Sequence, residues 1–194
     1  MVATLLVAAC ASGPSLAPAL GPTVAVRVDS ETVLLPRPRV FHHDGRVEAH
    51  YDAADDSTTV AIVIHPGRYF LWIQHPRITV RFRYAGRMLT HAPHDVVMDV
   101  RVQHPQQPDV STLILTATDG PRFSFKRVVF HESEDVLVTN LDYAFELPLG
   151  TFARLITSES LSLELGGITA TFDGGQMEAL RDLASRMAPA DTGR

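Results

Sequence analysis

Apolar and polar residues alternate most regularly near the end of the chain. Leu161, Leu163 and Leu165 are interleaved with Ser162 and Glu164; Ile168, Ala170 and Phe172 with Thr169 and Thr171. Successive side chains of a strand point to opposite faces, so each run predicts a strand with one apolar face. Gly166-Gly167 stands between the runs, and two glycines supply the positive φ angles of a type I′ hairpin turn. A two-residue loop then pairs Leu165 with Ile168, Leu163 with Ala170 and Leu161 with Phe172, which puts six apolar side chains on one face. After the hairpin the period lengthens. Met177, Leu180, Leu183, Ala184 and Met187 recur at helical spacing, with Glu178, Arg181, Asp182 and Arg186 largely off that stripe. Asp173 is placed as the N-cap, Gln176 completes a capping box, and Phe172 and Met177 hold the hydrophobic-staple positions. Pro189 ends the helix. With a short helical turn ahead of the hairpin, the stretch Thr151–Met187 is expected to close over a core built by the rest of the chain.

From Thr23 to that point the pattern is one of short strands. Turn signals recur about every ten residues, the cadence of an all-β sandwich or barrel. Val24, Val26 and Val28 alternate with polar or small residues, and so do Val47, Ala49 and Tyr51; Asp44-Gly45 supplies a turn. Val60-Ala61-Ile62-Val63-Ile64 is continuously apolar and β-branched, which predicts a strand buried on both faces. Tyr69–Ile73, with the single tryptophan Trp72, is a second apolar run and is expected in the core. Ile78, Val80, Phe82 and Tyr84 alternate with Thr79, Arg81 and Arg83, ahead of an Ala85-Gly86 turn. Val96, Met98, Val100 and Val102 form another such set, then Leu113, Leu115 and Ala117; after Asp119-Gly120, Phe123 and Phe125 are expected to point inward. Val136–Leu147 adds one or two strands. The expectation is an all-β, antiparallel β-sandwich of about 10–12 strands with one C-terminal α-helix, since no βαβ alternation appears.

Composition refines this. A chain of 194 residues with 45% hydrophobic and 20% charged residues suits one globular domain. A net charge of −5 argues against general nucleic-acid binding. One cysteine permits no intrachain disulfide. Its position is informative, because Leu5-Leu6-Val7-Ala8-Ala9-Cys10 is a short apolar run ending in small residues and Cys. The run resembles the lipobox of bacterial lipoproteins, a resemblance that implies acylation of Cys10, a membrane anchor and, from Ala11, outer-membrane sorting toward the periplasm. No Lys or Arg precedes the run and only nine residues precede Cys10; a start codon further upstream would supply the positive region and the length of an ordinary signal. Residues 11–22 are uncharged and rich in Ala, Ser, Gly and Pro, as in a flexible tether. The expected organisation is signal and tether over residues 1–22, one β-sandwich domain over 23–188 and a disordered tail over 189–194. The closing stretch, with Pro148-Leu149-Gly150-Thr151-Phe152 and Glu178–Met187, resembles the end of some uncharacterised bacterial exported proteins. That resemblance covers about a fifth of the chain and implies placement, not activity.

Three constellations bear on chemistry. The first is histidine: His42-His43, His91 with His94, and His-Pro pairs at His65, His75 and His104. A catalytic zinc site usually takes three protein ligands at defined spacing. Here His91 and His94 lie in a Pro-containing loop, and His131-Glu132 does not continue into HExxH. Solvated loop histidines are the plainer expectation, and His42, His43, His91 and His94 the alternative metal set. The second is arginine. Arg77, Arg81 and Arg83 share one strand face with Arg87 just beyond, a stripe whose forked donors suit phosphate, sulfate or anionic lipid. The plainer expectation is a solvent face neutralised by Asp95, Asp99 and Glu178. The third is acidic: Asp55-Asp56 and Glu132/Glu134/Asp135, both expected in loops. No nucleophile elbow or Gly-rich phosphate loop occurs, so no catalytic residue and no cofactor are expected. The functional expectation is an envelope-tethered, non-enzymatic binding or assembly module, its partner an unidentified protein or small ligand. The rival is a metal-dependent or hydrolytic periplasmic enzyme using the loop histidines.

Overall fold

The computed structural model describes residues 21–66, 76–103, 111–118, 120–135 and 138–189. Cys10 and residues 1–20, the Tyr69–Ile73 run with Trp72, His75, His104, Asp119 and the tail from residue 190 lie outside the described residues.

Among the described residues eleven strands and two helices follow in chain order. They are β1 (Thr23–Val28), β2 (Glu31–Pro36), β3 (Val47–Asp52), β4 (Ser57–Ile64), β5 (Arg77–Ala85), β6 (Asp95–Gln103), β7 (Thr112–Ala117), β8 (Arg122–Asp135), β9 (Val138–Pro148), α1 (Leu149–Leu155), β10 (Leu161–Leu165), β11 (Ile168–Phe172) and α2 (Gly174–Ser185). The fold is all-β and antiparallel with a C-terminal helix. β1 and β2 form a two-stranded ribbon, and the other strands form one curled nine-stranded sheet ordered β11-β10-β7-β8-β9-β6-β5-β4-β3.

The curl has a visible cause in β8. Its first half pairs with β7, from Arg122 opposite Thr116 to Lys126 opposite Thr112. Its second half pairs with β9, from Arg127 opposite Phe145 to Asp135 opposite Val138. The exchange of partner falls at a β-bulge between Arg127 and Val129, the kind of irregularity that bends a strand and lets it turn a corner between two layers.

One face of the curled sheet builds the core. Ile62, Val80, Met98 and Phe145 lie side by side on β4, β5, β6 and β9, and all are buried. Leu115, Leu163 and Ala170 continue the apolar face across β7, β10 and β11. Val26, Val33 and Leu35 of the ribbon belong to the same cluster. The closing hairpin keeps the expected register, with Leu165 opposite Ile168, Leu163 opposite Ala170 and Leu161 opposite Phe172. Both turn glycines have positive φ, 54° and 86°. The capping box of Asp173 and Gln176 is formed, and Met177, Leu180, Leu183, Ala184 and Met187 are buried.

Four expectations change. The Val60–Ile64 run buries Val60, Ile62 and Ile64 but leaves Ala61 and Val63 half-buried, because only one face of β4 meets the core. Glu132, Glu134 and Asp135, expected in a loop, belong to β8: pairing with β9 carries the strand past its last apolar residue. Phe123 is half-buried, while Phe125 points inward as expected. Finally β2, which the alternation did not single out, pairs with β1 around a turn in which Asp29 takes φ of 52°. Asp is among the few residues besides Gly that tolerate that conformation.

Candidate functional site

The sheet face opposite the core carries the arginines. On β5, Ile78, Val80 and Phe82 point inward, so Arg77, Thr79, Arg81 and Arg83 point outward by alternation. The neighbouring strands add Asp99 and Arg101 from β6 and Asp142 from β9. Antiparallel register puts Thr79 opposite Asp99, Arg77 opposite Arg101, and Arg101 opposite Asp142.

Most of these guanidiniums are matched. Arg81 donates to Asp99 at 2.6 and 3.4 Å, and Arg101 to Asp142 at 2.6 and 3.0 Å, both as two-pronged contacts. The hydrogen bond from Arg101 to Asp142, and then the carboxylate charge, hold the Arg101 pKa above its ordinary value, so this side chain stays charged. Arg83 donates to Ser57 Oγ at 2.8 Å and to Asp55 at 2.9 Å. Arg87 leaves the stripe: its guanidinium lies 4.2 Å from the ring centroid of Tyr51, a cation–π contact. Of the expected acidic partners only Asp99 serves this face. Glu178 sits on α2 with Arg39 and Arg181, and Asp55 and Asp142 take the remaining roles. The strand order brings Asp142 beside Arg101 from 41 positions away, and alternation alone carries no such information.

Arg77 differs. It is exposed and has no acidic partner among the described residues, and its cross-strand neighbour is another arginine. Both line a depression of about 430 Å³ on the outer face, with Thr79, Val129, His131 and Ala144 among the other walls. Like charges directly opposite each other on adjacent strands are destabilising. Among the described residues, the depression therefore holds one arginine without an acidic partner, beside a second that is anchored by Asp142.

The histidines are dispersed. The His43 side chain is 7% exposed and packs beside α2, with Nε2 3.3 Å from Asp182 Oδ2 and Nδ1 without a hydrogen-bond partner among the described residues. Adjacent His42 is exposed. His94 lies 3.5 Å from Asp29 at the tip of the ribbon, and His91 bonds Thr90 at 3.0 Å. Among the described residues, no three His, Cys, Asp or Glu side chains are grouped as ligands for a metal ion. His42 and His43 thus stand apart from His91 and His94, and the fold does not bring the four together. No helix among the described residues is long and apolar enough to cross a membrane.

No family model, no curated protein and no solved structure matches this chain.

Proposed function

We propose that the chain is an envelope-tethered binding module that holds an anionic group on the outer face of its sheet, between Arg77 and Arg101. The observation that carries this reading is Arg77, which has no acidic partner among the described residues and stands across the strand pair from an ion-paired arginine in an open depression. A phosphate, sulfate or carboxylate oxygen set between the two guanidiniums would accept forked donors from both and remove their repulsion. Thr79 and His131 line the same space and offer further polar contacts. The role is binding, not catalysis. The lipobox-like run ending at Cys10 and the uncharged stretch after it support attachment to the bacterial envelope, with the domain facing the periplasm as an outer-membrane lipoprotein. The bound group is then either a free anion or a lipid headgroup.

The test is an NMR titration of the chain with inorganic phosphate, and separately with phosphatidylglycerol vesicles. Saturable shifts at Arg77, Thr79, Arg101 and His131 are expected, and Arg77→Ala should weaken the response at least tenfold. A response to phosphate alone indicates a soluble ligand, and one to vesicles alone a headgroup. Shifts that bypass the depression, or an Arg77→Ala variant that binds as well as the parent, overturn the reading.

A further inference from the structure

We infer that the anion held between Arg77 and Arg101 carries an apolar body, and that the bulge in β8 builds the wall on which that body lies. This rests on the anion site proposed above and names its class of ligand. The ligand is a single amphiphile, such as an alkyl phosphate, lying along the outer face of the sheet.

A change of face within β8 points to it. Phe125 points into the core, so strict alternation carries Arg127 and then Val129 to the core side. Arg127 keeps that side, opposite buried Phe145. The bulge then adds one residue and the faces exchange. Val129 lies opposite Ala144, and His131 opposite Asp142, on the side that carries the arginines. Phe130 lies opposite Tyr143, with the two ring centroids 5.3 Å apart. Without the extra residue, Val129 and His131 would face the core and Phe130 would stand on the arginine side. Bulges re-aim side chains in this way near functional sites.

The exchange completes two rows across four strands. Arg77, Arg101, Asp142 and His131 stand level on β5, β6, β9 and β8. Thr79, Asp99, Ala144 and Val129 stand level in the next row. The guanidiniums of Arg77 and Arg101 thus mark the β5–β6 end of the depression, and Val129, 58% exposed, marks the β8 end. Ala144 between them is buried and short, which keeps the floor low. Neighbouring strands are about 4.8 Å apart, so Val129 stands roughly 10 Å across the sheet from Arg101.

A single exposed valine needs no explanation on a protein surface. This one is set apart by the bulge that puts it there and by the charged row beside it. Both ends belong to one depression of about 430 Å³, within the size range of small-molecule sites. A bare phosphate fills only one end of it. A headgroup in a bilayer keeps its chain in the membrane, directed away from the sheet. A wall that lies along the sheet suits instead an amphiphile taken up whole. Its head sits between the two guanidiniums, and its chain crosses Ala144 to reach Val129, which withdraws both apolar surfaces from water.

NMR titrations with inorganic phosphate and with hexyl phosphate test this, and the ratio of the two affinities is the readout. Hexyl phosphate should bind the parent at least tenfold more tightly, with shifts at Val129 and Ala144 that inorganic phosphate does not produce. Val129→Ser should remove most of that preference. Val129→Thr, which keeps the branched shape and one methyl group, should reduce it less. Circular dichroism melts confirm that each variant is folded. Equal affinities for the two ligands overturn the inference and leave the anion site standing, and so does a preference that Val129→Ser leaves intact. A response to phosphatidylglycerol vesicles with none to hexyl phosphate assigns the face to a membrane surface and also overturns it. If neither phosphate binds, the anion site itself falls, and this inference with it.

Discussion

Gly166 and Gly167 take φ of 54° and 86°, conformations that a Cβ disfavours by about 1–2 kcal/mol per residue. Replacing both with valine should therefore lower stability by a few kcal/mol and loosen the pairing of Leu163 with Ala170. Denaturant melts with amide exchange on β10 and β11 measure both effects. Leu180, on α2, is fully buried. Leu180→Ala should cost about 2–5 kcal/mol, the range for a large core side chain that leaves a cavity. Glu178, two positions earlier and off the apolar stripe, would cost little if only its place on the helix mattered. In the fold it meets Arg39 at 3.3 Å and Arg181 at 2.8 Å, so Glu178→Ala should cost up to about 1 kcal/mol. The two variants, compared in the same melts, should stay clearly apart. Equal losses would mean that α2 does not pack on the core as described.

Between elements, Arg181 is the tie that residue patterns did not reveal. From α2 it donates to the Ile156 carbonyl at 3.0 Å and the Ser158 carbonyl at 2.8 Å, in the turn after α1. Its side chain is only 11% exposed, with Glu178 as its acidic partner. Arg181→Met keeps much of the apolar stem but leaves those carbonyls without their donor, at a cost of about 1–3 kcal/mol. Thermal melts should show a lower midpoint, with exchange rising first near Thr157 and Ser158. The hairpin and α2 were legible as elements because each satisfies its own rules locally: turn glycines, cap, period and staple. The extent of β8 was not. Its acidic end looks like a loop until β9 is known to lie alongside, and the bulge that bends it falls where Val128, Val129 and Phe130 interrupt the alternation of Phe123 and Phe125.

For the whole molecule, attachment is the first thing to test. If Cys10 carries the anchor, Cys10→Ser should move the protein from the membrane fraction to the soluble fraction, and mass spectrometry should find lipid on the parent only. An unmodified Cys10 with unchanged fractionation removes the envelope reading while leaving the depression around Arg77 standing. The sequence by itself determined the all-β antiparallel class, the hairpin register and the capped C-terminal helix. These depend on neighbours a few residues apart, where alternation, turn chemistry and capping act directly. It also placed Arg77, Arg81 and Arg83 on one strand face. Only the tertiary structure decided which of them lacks an acidic partner among the described residues, because Asp55 and Asp99 reach Arg83 and Arg81 through the strand pairing. It alone separated His42 and His43 from His91 and His94. The physical reason is the same in each case: a carboxylate neutralises a guanidinium through space, and the distance between them is set by pairings that the local pattern does not encode.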